Sequence, residues 1–69
     1  MNLKEIGNLI IKRREFLNLR QSDLAEISQV AEKTLNQIEQ GNGNPSFKTL
    51  NKVVEVLGLE LNLKVKEVS

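Results

Sequence analysis

RQSDLAEISQVAEKTLNQIEQGNGNP, residues 20–45, is the stretch on which the fold turns. It reads as two short helices joined by a tight turn, with a glycine stop and a proline behind them. Ala25 is small where two helices must cross closely, and Leu24 lies beside it. Val30 plugs the turn, while Leu35 and Ile38 supply one apolar side of the second helix.

That spacing is the pattern of a helix-turn-helix, a unit that presents its second helix to the DNA major groove. The expected helices cover about 21–28 and 32–40, the latter ending at Gly41. Upstream, residues 2–17 form an amphipathic helix, with Leu3, Ile6, Ile10 and Leu17 at helical spacing and Leu9, Arg13 and Arg14 flanking. Asn18 is a left-handed stop. Downstream, Pro45 cannot continue a helix, Ser46 is a good N-cap, and 47–57 carries Phe47, Leu50, Val53, Val54 and Leu57 on one face before Gly58.

At residue 59 the period changes. In LELNLKVKEV (59–68), Leu59, Leu61, Leu63 and Val65 alternate with Glu60, Asn62, Lys64 and Lys66, which is a strand signal. The chain offers no second strand, and a lone strand leaves its backbone donors and acceptors unpaired. The same segment of a second copy is the simplest partner, so Leu59, Leu61, Leu63 and Val65 are expected to form the dimerisation element. The expected division is a DNA-binding domain over 1–58 and a strand and tail over 59–69. The fold class is mainly α: four helices with a C-terminal β-strand paired across a homodimer.

Composition bounds the function. Sixty-nine residues make one small domain, and with neither cysteine nor histidine there is no disulfide, thiolate metal site or imidazole to serve it. No metal or cofactor is expected. A catalyst would need a carboxylate pair or an activated lysine in a cleft, and Asp23, Glu26 and Glu32 read as solvated helix charges, so an enzyme is not expected. No apolar run reaches membrane-spanning length and polar residues interrupt the N-terminal apolar ones, so a cytoplasmic protein without membrane contact is expected. The charge is uneven. Residues 1–20 carry five cations against two carboxylates, whereas 21–45 carry only Lys33 against Asp23, Glu26, Glu32 and Glu39. A basic footprint is what nucleic acid favours, so the acidic count across the reading segment predicts weak non-specific binding.

The segment from Ile6 to Leu57 resembles the Cro/C1-type (XRE-like) helix-turn-helix domain of phage repressors and many bacterial regulators. Its marks are Gln21, Leu24-Ala25-Glu26, Val30, Thr34-Leu35, Ile38-Glu39, Gly41 and Asn44-Pro45-Ser46. The resemblance implies a four-helix, lambda-repressor-like fold. The LGLELNLKVK tail that follows is similar to the HipB-like subgroup, antitoxin and autorepressor partners of HipA-like kinase toxins.

The resemblance also distributes roles. Gln21, at the start of the second helix, would donate to a phosphate beside the backbone amides there. Glu32, Lys33, Asn36 and Gln37 would face base edges: Lys33 to guanine, Asn36 or Gln37 to adenine, Glu32 to cytosine, with Ala31 against a thymine methyl. Asn42, Asn44 and the Gly43 backbone would contact phosphate. Arg14 and Glu39 align with a structural ion pair that pins the reading helix to the first, and Arg13 is a surface or phosphate-steering charge. Three positions depart from the pattern. Arg20 stands where Ser or Thr usually caps the second helix, and Ala31 where one usually caps the third, the latter forfeiting about 1 kcal/mol. Gln29 takes a turn position often held by glycine, where left-handed backbone costs roughly 1–2 kcal/mol. The expected function is a homodimeric regulator on palindromic double-stranded DNA, most simply a repressor. The alternative is chiefly a protein-binding antitoxin.

Overall fold

The computed structural model describes residues 1–67, and the last two positions of the tail, Val68 and Ser69, lie outside the described residues. Four helices follow one another: α1 (Leu3–Phe16), α2 (Gln21–Ser28), α3 (Glu32–Glu39) and α4 (Phe47–Val56). Asn2, expected inside the first helix, is instead its cap. Its side-chain oxygen accepts from the Glu5 N–H at 2.9 Å while the Glu5 carboxylate accepts from the Asn2 N–H at 3.1 Å. Ser46 caps α4 by accepting from the Thr49 N–H at 3.1 Å.

All four helices stop in the same way. A residue in the left-handed region, Asn18 (φ 58°), Gln29 (φ 60°), Gly41 (φ 73°) or Gly58 (φ 72°), turns the chain. The next N–H then reaches back over the final turn: Leu19 to Arg14, Val30 to Ala25, Asn42 to Gln37 and Leu59 to Val54, at 2.9–3.0 Å. These are Schellman closures, which satisfy carbonyls that a helix end otherwise leaves bare. Three of the four back-bonding residues are apolar and fold under their helix. Asn42 is the exception, and it stays exposed.

The core is Ile10, Leu24, Ala25, Val30, Leu35, Ile38, Leu50, Val53, Val54 and Leu57, each 9% exposed or less. α2 sits between α3 and α4, and α1 lies across α3. That last crossing depends on Gly7. A Cβ there would stand 2.5 Å from the Ile38 carbonyl oxygen and 2.6 Å from that of Glu39. One turn earlier, Gly41 meets the Lys4 backbone as closely, at 2.7 Å for a Cβ. The end of α3 is thus clamped under the first half of α1.

Three expectations are corrected. Phe47 does not join the apolar face of α4 but is 68% exposed, because the first turn of that helix projects beyond the core. Leu3 and Leu17, at the two ends of α1, are each 37% exposed and stand at the margin of the core. The strand expected over 59–68 is not formed among the described residues. Residues 59–67 have no regular structure, since among the described residues no other segment forms a strand to pair with. Leu59 and Leu61 instead pack on the core, and Leu63 and Val65 are 98% and 96% exposed. No described helix is long and apolar enough to cross a membrane.

Candidate nucleic-acid interface

Burial of Leu35, Ile38 and Glu39 fixes which way α3 faces. Glu32 and Asn36 form one exposed row at i,i+4 spacing, and Lys33 and Gln37 form the adjacent one. Ala31, also exposed, precedes the helix without a side-chain cap, so the first-turn N–H groups stay available to an outside acceptor. Beyond α3 the chain doubles back through Gly41 and Gly43 (φ 77°). A cleft of about 110 Å³ opens there, lined by Thr34, Gln37, Ile38, Asn42, Gly43, Asn44 and Pro45. The structure therefore brings Gln37, Asn42, Gly43 and Asn44 onto one surface. Thr34 belongs with them and was not expected to. Its position one helical step before Gln37 was the available signal.

Behind this face lies a polar network. Arg14 Nε and Nη2 donate to the two Glu39 carboxylate oxygens at 2.7 and 3.0 Å, and Nη1 donates to the Leu19 carbonyl at 3.0 Å. The side chains are 14% and 4% exposed. The bond to Glu39 holds the Arg14 guanidinium above its ordinary range. Gln21 is part of the same network. Its Nε2 donates to Glu39 Oε1 at 3.1 Å and to Asn36 Oδ1 at 3.3 Å. Both amide hydrogens are thereby used inside the protein, which leaves a phosphate at this helix end to the backbone N–H groups. Gln40, not singled out from the sequence, extends the network by donating to Asn36 Oδ1 at 3.5 Å, and Asn42 donates to Gln40 at 3.3 Å.

Arg20 lacks an acceptor with which to cap α2, and Asp23 makes up part of the loss. Its carboxylate accepts from the Arg20 backbone N–H at 2.8 Å and from the guanidinium at 3.2 Å. The guanidinium, helped by that backbone N–H, holds the Asp23 carboxyl below its ordinary range. Two of the four carboxylates counted against the reading segment are therefore matched by cations from the first twenty residues. Glu26 and Glu32 remain, against Lys33, which forms no ion pair among the described residues. The acidic count overstated the charge that DNA would meet. Arg13 corrects the other way: it is not a free steering charge. Its Nε donates to the Leu57 carbonyl at 2.8 Å, and its guanidinium lies 5.2 Å from the Phe16 ring centroid. It fastens α1 to the C-terminal end of α4, where a cation suits the helix dipole.

Comparison with known proteins follows the same lines. A helix-turn-helix family model matches residues 10–64. Over 66 residues the chain is 35% identical to the ImmF control region 10 kDa protein of Bacillus phage phi105, spanning 94% of this chain and 73% of that one. Among solved structures, SinR, a master regulator for biofilm formation crystallised in complex with DNA, is similar with a TM-score of 0.73 and 38% identity over 80% of this chain and 89% of its own. ClgR, the clp gene regulator of Corynebacterium glutamicum, gives a TM-score of 0.76 at 26% identity over 83% of this chain. The chain spans 61% of that ClgR chain, less than two thirds.

Proposed function

Since the chain belongs to the helix-turn-helix family, we propose that it is a sequence-specific DNA-binding transcriptional regulator, acting as a repressor. The observation that carries this is the exposed polar side of α3. Glu32, Lys33, Asn36 and Gln37 stand on the face opposite the core, continuous with the Asn42–Asn44 cleft, and the core does not use them. In this reading α3 enters the major groove, Lys33 donates to guanine O6 and N7, and Ala31 lies against a thymine methyl. Glu32 accepts from cytosine N4. Asn42, Asn44 and the Gly43 backbone hold the flanking phosphate, and the α2 amides hold another.

The regulator works as a homodimer on a palindromic operator with half-sites about 34 Å apart. Support for the dimer comes from the tail. Leu63 and Val65 expose apolar side chains on a backbone without partners among the described residues, beside a groove lined by Met1, Ile6, Leu9, Ile10, Val54, Leu59 and Leu61. Such a segment is suited to pairing with its own copy.

Titrating the protein onto the DNA upstream of its own gene, against scrambled DNA across a salt series, tests the proposal. Preference for the upstream DNA is expected, with two protected half-sites one helical turn apart and a shallow salt slope in keeping with Lys33 as the single cation of residues 21–45. Lys33→Ala is expected to relax base discrimination by about 1–3 kcal/mol at one position per half-site without altering the fold. A folded protein that ignores its upstream DNA would overturn this function and leave the protein-binding antitoxin of a HipA-like kinase in its place.

A further inference from the structure

The hydrogen-bond network behind α3 has a direction. An ionised carboxylate only accepts, so Glu39, held by Arg14, compels Gln21 to turn its NH2 group inward. The second hydrogen of that NH2 then points at Asn36, which must answer with its oxygen. Gln40 donates to the same oxygen. The orientation of a side-chain amide is ordinarily set by its partners, and here the sequence of partners starts from a group that admits one polarity. Asn36 Oδ1 has both lone pairs engaged, and its NH2 group is left facing outward on the exposed side of the helix. The side chain of Gln37, its neighbour on the same face, makes no hydrogen bond among the described residues and keeps both ends of its amide free.

We propose that Asn36 reads DNA as a donor alone, with Gln21 as the residue that positions it, and that the two amides of the reading face thereby divide their targets. This rests on the DNA-binding function proposed above. An amide recognises adenine by accepting from N6 while donating to N7. Gln37 retains that capacity. Asn36 does not, because its acceptor is spent. Its NH2 group matches guanine, where N7 and O6 both accept, and opposes adenine, where N6 also donates. Asn36 therefore behaves at the groove as a short, neutral counterpart of lysine.

Selection from randomised DNA with the wild-type protein and three variants tests this. Asn36→Ala is expected to abolish a guanine preference at one position of each half-site, weakening discrimination there roughly tenfold. Gln37→Ala is expected to abolish an adenine preference at another. In Gln21→Leu the oxygen of Asn36 loses its main donor, the amide can turn, and adenine is expected to become acceptable where guanine was required. A residue that merely stabilised the fold would lower affinity for all sequences alike. Loss of an adenine preference in Asn36→Ala, or an unchanged preference in Gln21→Leu, would overturn the polarity while leaving DNA binding intact. Failure of the wild-type protein to select any sequence would overturn the DNA-binding function and this proposal with it. Amide exchange in the free protein gives an independent measurement. The Gln21 NH2 is expected to exchange more slowly than that of Gln37, and the Asn36 NH2 as fast as an exposed asparagine. A protected Asn36 NH2 beside a fast Gln21 would reverse the assignment.

Discussion

Gly7 of α1 lies so close to Ile38 of α3 that a single added methyl group would reach within 2.5 Å of the Ile38 carbonyl oxygen. Opposing effects meet here. Replacing a mid-helix glycine with alanine ordinarily gains about 1 kcal/mol. The clash is with backbone oxygens that cannot rotate aside, and overpacking of this kind typically costs 1–3 kcal/mol. The clash should win. Gly7→Ala is expected to lower stability by about 1 kcal/mol net in urea denaturation. The same substitution should tilt α3 and weaken operator binding beyond the stability loss.

The Arg14–Glu39 pair is nearly buried, so its members should be indispensable singly and replaceable together. Arg14→Met is expected to cost about 3 kcal/mol, because the nearly buried Glu39 carboxyl would lose its cation and have only Gln21 to answer it. The double variant Arg14→Met/Glu39→Leu should recover most of that loss. Thermal melts of the two single variants and the double measure the coupling. A loss in the double variant equal to the sum of the two single losses would mean that the residues contribute independently, by packing and little else.

Gln29 carries a left-handed backbone at φ 60° with an exposed side chain. Gln29→Gly should therefore stabilise the protein by about 1 kcal/mol, the relief of strain exceeding the entropy that glycine adds to the unfolded chain. A rise in Tm of roughly 4–8 °C is the expected observation. No rise would mean that the amide already compensates through the turn.

Asp23 makes a small part of the stability pH-dependent. Its folded pKa lies below the unfolded one, so its contribution is present above the ordinary carboxylate range, near pH 4, and is lost as the pH falls through the depressed value. Asp23→Asn should melt earlier than wild type at neutral pH, with the difference closing in strong acid. Salt should shrink the difference too, because the pair is exposed.

Leu63→Pro removes one backbone donor from the tail without touching the buried helices. Monomers are expected by light scattering. Operator affinity should fall about a hundredfold as the two half-sites lose their linkage. A dimer that survives would place the interface elsewhere on the surface.

The helices were legible because their signals are local. The helical spacing of Leu24, Leu35, Ile38 and Val53, the asparagine at 18 and the glycines at 41 and 58 each act within a turn or two of themselves. Gly7 was not legible. In sequence it is only a weak point in a helix, and its use depends on carbonyls more than thirty positions away. The charge count failed for a related reason, since Arg14 and Arg20 neutralise carboxylates belonging to the next segment. Alternation in the tail reports which residues share a side and says nothing of whether a partner strand exists. Within the candidate site, residue types and exposure could be anticipated on α3. The directed amide network could not, because it passes through Gln21 and Glu39 on different helices and takes its sense from a buried charge.

The four Schellman closures give this small protein a property useful to a lineage of regulators. Each helix is stopped by backbone bonds made within the six residues that straddle its end, so no stop depends on the outward-facing side chains of α3. Glu32, Lys33 and Gln37 can then be exchanged for other residues without moving the boundary of any helix. The frame behaves as a socket and the exposed rows as an interchangeable key, and a change of target would require only a handful of surface substitutions. Asn36 is the exception on that face. Its amide is wired into the frame, and changing it would also disturb the network that holds the key in place.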